Sequence, residues 1–405
     1  MTTVDSARGR RGPLAGVKVL DLTLAMAGPL ATARMGDLGA EVIKVESPSG
    51  DFARHWPING YMHGDESSAY LMLNRNKRSI VLDLKNEAAR TVFLDLVRQA
   101  DILVQNFRPR VAKKLGIDYE TLAAVRPELV YVSISGYGDE GPMVDRPGQD
   151  LLVQSFSGLT FNGGTADGLP HPSPVYMVDT CASHHATEAA LAGYVERLRT
   201  GRGQHLKVSL LAAALEIQIQ ELSVFMTSGR DAIRCKTPFA STWMEAPYGI
   251  YRTADSFIAV AQARLPDLAE AFGDPRILEA HENQPPHEDV EARRAFRDRI
   301  GALVQEAFLR KTTAQWIEEL TARDIWVGPV NTYADVVAHP QMQNLFATID
   351  HPAGPYRTLA PAIRCAETSP MTKSPALGEH TDEILAELGV APDGIRSLRE
   401  AGAVR

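Results

Sequence analysis

The carboxylate with the most chemistry open to it is Asp179. It stands in Pro174-Val175-Tyr176-Met177-Val178-Asp179-Thr180-Cys181-Ala182-Ser183, after a short apolar run and at the head of an alanine-rich helical segment. A carboxylate at a helix start meets unpaired backbone N–H groups and the positive end of the helix dipole. That environment suits an ordinary N-cap, for which Asp is a preferred residue. It also suits a nucleophile held in its ionised form. Local sequence favours the cap, and the rest of the chain must decide. His184 and His185 follow about one helical turn later. Their spacing builds no Ser/His/Asp triad, and they read as packing or capping residues on a helix face.

Other chemistries leave no trace. The chain has no Gly-Lys dipeptide and hence no phosphate-binding P-loop. It has no Gly-x-Ser-x-Gly elbow and no His-Glu-x-x-His zinc helix. His281-Glu282 and His287 sit in a proline-broken charged loop and read as solvated surface, so no metal is expected. The first strand-to-helix turn is Met26-Ala27-Gly28-Pro29, which lacks the glycine fingerprint of a dinucleotide site. A net charge of -8 and a pI near 5.8 give no basic footprint for nucleic acid. No apolar run approaches the roughly 20 residues of a membrane span. Cys181, Cys235 and Cys365 are far apart and odd in number, which fits a reducing, cytoplasmic setting.

The elements that must position Asp179 follow an alternating pattern. Residues 17–22 and 41–46 read as strands around a helix over 30–38 that Pro29 opens and Gly39 closes. Strands over 79–84, 102–105 and 129–135 continue the series. They alternate with a helix over 86–100, whose Ala89, Val92, Phe93, Leu96 and Val97 share one face, and a short helix over 110–115. A helix over 180–199 ends in Arg197, Arg199 and Gly201. Residues 209–228 read as one buried helix. The pattern predicts an α/β fold with a doubly wound parallel sheet. The expected division is a loose tail over 1–12, a large α/β domain over 13–225, a small α+β domain over 226–328, and a C-terminal segment over 329–405 that leads back out of the small domain. No internal repeat is present.

An ordered set of motifs resembles one family. The set opens with Leu14-Ala15-Gly16-Val17-Lys18-Val19-Leu20-Asp21-Leu22-Thr23, Ala27-Gly28-Pro29, Asp37-Leu38-Gly39-Ala40-Glu41-Val42-Ile43-Lys44-Val45-Glu46 and Gly50-Asp51. Asn74-Arg75-Asn76-Lys77-Arg78-Ser79 and Asn106-Phe107-Arg108-Pro109 continue it. Gly136-Tyr137-Gly138, Gly141-Pro142, Gly201-Arg202-Gly203-Gln204 and Gly378-Glu379-His380-Thr381 complete it. In this order they resemble the class III CoA transferases, a family that includes the α-methylacyl-CoA racemases.

The resemblance implies an interlocked homodimer, a large Rossmann-like domain over 13–225 to which the C-terminal segment over 329–405 returns, and a catalytic aspartate at Asp179. It places Ala27, Lys85, Asn106, Phe107, Lys114 and Leu115 where the family holds coenzyme A, with CoA and acyl-CoA as substrates and no permanently bound cofactor. Met26 replaces a frequent Gln or Leu, and Ser47 stands where some members carry Arg. The glycine-rich loop of the formyl-CoA enzyme is not evident in residues 234–246. Lys77 and Arg78 are further phosphate contacts to consider. The expected reaction moves CoA from succinyl-CoA or a similar thioester to a small carboxylic acid, through an aspartyl anhydride and an aspartyl-CoA thioester. The helix start would keep Asp179 ionised, and nearby amides would steady the oxyanions. The racemase branch needs a histidine in Gly-His-Asp. Here the triplet is Gly148-Gln149-Asp150, so Gln149 becomes a substrate-pocket residue. A racemase-type enzyme and a catalytically silent acyl-CoA-binding protein are the alternatives.

Overall fold

The computed structural model describes residues 10–405, so most of the expected tail lies outside the described residues. Arg10 donates to the carbonyls of Ala40 (3.1 Å) and Asn76 (2.9 Å). The chain divides into two compact units. One comprises residues up to 153, Tyr176–Ile217 and Gln343–Arg405; the other comprises Gln154–Val175 and Gln218–Met342.

The first unit is built on a six-stranded, wholly parallel sheet. Across the sheet the strands run Lys77–Val81, Glu41–Glu46, Lys18–Leu22, Ile102–Gln105, Val130–Ser135 and Gln204–Ser209. Leu20 pairs with Ile43 on one side and Leu103 on the other. Apart from a set of buried charged side chains, the inner strands are apolar on both faces because both faces are covered. On one face Leu20, Ile43, Ile80, Leu103 and Tyr131 pack with Val92, Phe93 and Leu96 of helix Glu87–Gln99. Ile384, Leu385 and Ile395, from helices Thr381–Glu387 and Pro392–Glu400, complete the same core.

Alternate positions such as Val19, Val42, Val104 and Val132 point the other way. There helices Ala27–Asp37 and Met177–Thr200 pack against each other and the sheet. The alanine-rich character of the long helix now has a physical reason. A side chain at its Gly193 would come within 2.7 Å of both Val130 and Leu206. Only small residues (Ala182, Ala186, Ala190, Gly193) let this helix lie so close to the strands.

A layer of charge is sealed beside the first strand. Lys77 Nζ meets Asp21 Oδ2 at 2.8 Å, and Lys44 Nζ meets Asp51 Oδ2 at 3.1 Å, all four side chains being fully buried. Lys44 also donates to the carbonyl of Thr23 (2.7 Å). Burial alone would raise the Asp21 carboxyl, but Lys77 and Lys44 hold it below the usual carboxylate range. Burial brings the Lys77 ammonium down to about 8, against the pull of Asp21. Arg78 is bound by Glu41, Glu383 and Glu387. This corrects the reading of Lys77 and Arg78 as phosphate contacts: both are enclosed by acids of the protein itself.

The second unit carries a three-stranded antiparallel sheet, Trp326–Pro329, Phe257–Gln262 and Gly249–Arg252 in spatial order. Ile258, Leu268, Phe272, Phe308, Trp316 and Leu320 form its core. The expected helix over 209–228 is in fact two, Leu210–Ile217 and Ile219–Ser228. Gln218 marks the break; its side chain accepts from Asn162 Nδ2 at 2.9 Å, a polar need that a continuous apolar helix would leave unmet. Among the described residues, no single helix is long and apolar enough to cross a membrane.

The charge layer yields a stability prediction. Lys77→Ala leaves Asp21 buried without its partner, and we expect a loss of about 3–5 kcal/mol. Urea unfolding followed by circular dichroism measures it, and a loss below about 1 kcal/mol would contradict the assignment.

Candidate active site

A cavity of about 680 Å³ opens at the carboxyl edge of the parallel sheet. Its walls come from the segments that leave four strands: Ala25–Ala27, Asn106–Pro109, Ile134–Gly136 and Leu210. Strands Lys18–Leu22 and Ile102–Gln105 lie side by side, but their connections depart toward opposite edges of the sheet. Such a switch point leaves a crevice between the departing loops, the usual ligand site of this architecture.

Two features hold the crevice in shape. Asn106 bridges the switch point: its Oδ1 accepts from the Leu24 N–H (2.9 Å) and its Nδ2 donates to the Leu24 carbonyl (2.8 Å). Asp51 Oδ1 accepts from the next amide, Ala25 (3.3 Å), whose φ of 67° is uncommon for a residue with a side chain. The second feature is a backbone contact. A Cβ at Gly136 would lie 2.4 Å from Gly148 Cα, and one at Gly148 would lie 2.2 Å from Gly136 Cα. Only glycine fits at either place. That contact lays Gln149 and Asp150 beside the end of strand Val130–Ser135.

Helix Met177–Thr200 begins two residues before Asp179, which occupies its first turn. The N-cap is Tyr176, and it makes no side-chain capping bond. The first-turn amides go instead to Asp150: its Oδ2 accepts from Val178 N–H (2.9 Å) and Asp179 N–H (3.0 Å). Asp150 is 1% exposed. The cap expected at Asp179 is therefore supplied by Asp150, from far along the chain. The expected ionisation changes with it. Burial, and then the negative charge of Asp150, push the Asp179 carboxyl up to about 7. The amides that would have lowered it, or steadied an oxyanion, already have a partner.

Asp179, Ala27, Asn106, Phe107 and Gln149 all meet at this cavity. Lys85 and Lys114 are exposed and do not line it, and Leu115 packs against the main core. Phe107 does both, lining the cavity and packing on the core. The cavity also presents residues that the sequence reading passed over: Arg108, Arg146, Tyr176 and an apolar wall of Phe52, Trp56 and Met72. Arg108 was already visible beside Asn106-Phe107; nothing local marks Arg146 or Trp56. Neither Arg108 nor Arg146 has a side-chain hydrogen bond or ion pair among the described residues. Among the described residues, no histidine lines the cavity. His184 Nε2 meets Arg34 at 3.0 Å, and His185 Nε2 meets Glu216 at 2.9 Å. The 230–248 segment belongs to the second unit. There Arg297 donates to the Thr242 (2.9 Å) and Ser241 (3.0 Å) carbonyls, and Asp298 accepts from the Thr237 amide (2.7 Å).

The raised Asp179 carboxyl has a measurable consequence. Its folded-state value of about 7 exceeds the ordinary value of 3.8. The folded state thus binds the extra proton between those limits, and its stability falls as pH rises through that window. Asp179→Asn removes the ionised form, so the variant should melt above the wild type at pH 8, by several degrees. The gap should close toward pH 4. A gap that stays constant with pH would contradict the electrostatic account.

Comparison with known proteins agrees with this architecture. The family model described as CoA-transferase family III matches residues 14–381. The human succinyl-CoA:glutarate CoA-transferase is 32% identical over 402 residues, covering 97% of this chain and 90% of that protein. The acetyl-CoA:oxalate CoA-transferase of Acetobacter aceti is 32% identical over 344 residues, covering 82% of this chain and 84% of that protein. A crystal structure of a CAIB/BAIF family protein from Brucella suis superposes with a TM-score of 0.78 at 31% identity, covering 94% of this chain and all (100%) of that one. The parallel sheet, the crevice at its switch point and a match along almost the whole chain lead to one assignment: the chain belongs to CoA-transferase family III and is an enzyme that transfers coenzyme A.

Proposed function

We propose that this enzyme moves CoA from succinyl-CoA, or a thioester like it, to a second small dicarboxylic acid, with Asp179 as the nucleophile. One observation carries the reading: among the described residues, Asp179 is the one carboxylate on the wall of the cavity.

The chemistry balances without a nucleotide. An Asp179 oxygen attacks the thioester carbonyl and the C–S bond breaks, giving an aspartyl–acyl anhydride and CoA thiolate. The thiolate attacks the aspartyl carbonyl and releases the donor acid, leaving an aspartyl-CoA thioester. The acceptor carboxylate then expels the thiolate to form a second anhydride. Thiolate attack on the acceptor's carbonyl releases the new acyl-CoA and restores Asp179. A carboxylate whose conjugate acid titrates near 7 is more basic than an ordinary aspartate, which favours the first attack.

Arg108 and Arg146 give the cavity two unpaired cations beside an apolar wall. A guanidinium binds a carboxylate through two parallel hydrogen bonds. This supports an acceptor with a second carboxylate, in keeping with the succinyl-CoA:glutarate relative. Gln149 borders the same space. In this reading Lys85 and Lys114 meet CoA phosphates, and Ala27, Asn106, Phe107 and Leu115 border the rest of the CoA path. CoA enters and leaves as substrate, no cofactor stays bound, and the working form is an interlocked homodimer in the cytoplasm.

Three measurements follow. Asp179→Ala should lose turnover by about a thousandfold or more. The wild type incubated with acyl-CoA should yield, on hydroxylamine treatment and peptide mass spectrometry, a hydroxamate at Asp179; near-normal turnover in the alanine variant sinks the assignment. Arg146→Met should raise the KM for succinate or glutarate by at least about tenfold while sparing butyrate. Equal effects on diacid and monoacid would remove the arginine from acid selection.

A further inference from the structure

We infer that Asp150 is the positioning residue of the nucleophile: by taking the first-turn amides of helix Met177–Thr200, it leaves the Asp179 carboxylate with no helix-end partner and facing the cavity. The inference rests on the reading of Asp179 as nucleophile.

The geometry gives Asp150 this task. Its Oδ2 lies 2.9 Å from Val178 N and 3.0 Å from Asp179 N, and the residue is all but fully buried. Free amides in a first helical turn attract the nearest carboxylate. The acidic residue in the first turn of this helix is Asp179 itself. An Asp179 bound to those amides would be a better-stabilised anion and a poorer nucleophile, because the charge it must donate would be held by hydrogen bonds. Asp150 removes that competing state. Its place is fixed by the contact of Gly136 with Gly148 two residues earlier.

The other charged and titratable groups around Asp179 leave this role to Asp150. Arg108, Arg146 and Tyr176 line the cavity. Arg34, on helix Ala27–Asp37, is held by Ser183 (2.5 Å) and His184. Glu216, on helix Leu210–Ile217, is held by His185. Cys181 is one turn along Asp179's own helix. Among them, Asp150 is the group whose charge opposes ionisation of Asp179.

Two variants separate position from charge. Asp150→Asn keeps an acceptor oxygen for the amides and removes the charge. Asp150→Ala frees the amides altogether. In the wild type, kcat/KM for the acyl-CoA should rise with pH through about 7, as Asp179 ionises. In Asp150→Asn that rise should move roughly one pH unit lower, with kcat changed less than about threefold. In Asp150→Ala it should move at least as far, and kcat should fall about 10- to 100-fold at little change in KM. A merely structural cap would lower the melting temperature of both variants and leave the pH profile where it is, and that outcome overturns the proposal. An unchanged profile together with a wild-type hydroxamate at Asp179 would sink the role of Asp150 alone. Absence of the hydroxamate would sink the nucleophile reading itself.

Discussion

The meeting of two backbones at Gly136 and Gly148 is the contact on which the site depends. No side chain fits between them, so the chain must carry glycine at both positions to bring the 148–150 segment against the end of its strand. From there Gln149 reaches the cavity and Asp150 reaches the head of the long helix. The reach is short, and a shift of an ångström would break two hydrogen bonds of 2.9 and 3.0 Å. The alanine-rich face of that helix extends the same logic. Its small side chains set the depth at which it lies on the sheet, and thereby the height of Asp179 above the strand ends.

Charge is used in two opposite ways within one unit. In the layer of Lys77, Asp21, Lys44 and Asp51, each buried charged side chain faces an opposite one. At Asp179 and Asp150 two carboxylates are close, and burial together with the Asp150 charge makes Asp179 hold its proton toward neutrality. The first arrangement keeps the turn after the first strand in place through Lys44 and the Thr23 carbonyl. On the proposed reading, the second keeps a reactive group in reserve, the kind of local instability that functional sites retain.

Much of the scaffold was legible because it depends on local pattern. Strand Ile102–Gln105 is where its apolar run lies, and the five apolar residues assigned to one face of helix Glu87–Gln99 are its buried residues. The glycines of Gly136-Tyr137-Gly138 and Gly148-Gln149-Asp150 were visible, but not that two of them touch. The features that escaped are long-range. Nothing near Lys77 or Arg78 announces Asp21 or Glu387 as partners. Nothing near Asp179 announces that its amide belongs to Asp150. Hydrophobic period speaks for a residue's own element; a buried polar group is explained by whichever segment the fold delivers to it. Arg146 shows the same limit, since a lone arginine in a loop carries no local sign of the cavity it lines.

Asn106 has a wider meaning than its two hydrogen bonds suggest. Where neighbouring connections run apart, strand pairing stops and the two departing segments part to leave the crevice. The carboxamide of Asn106 pairs with Leu24 as another strand would, offering one acceptor and one donor. It is a single side chain acting as the next rung of the ladder. The rim on either side can therefore differ in length and composition while the floor of the crevice keeps its form, so one sheet can serve many acids by changing only what stands around that seam.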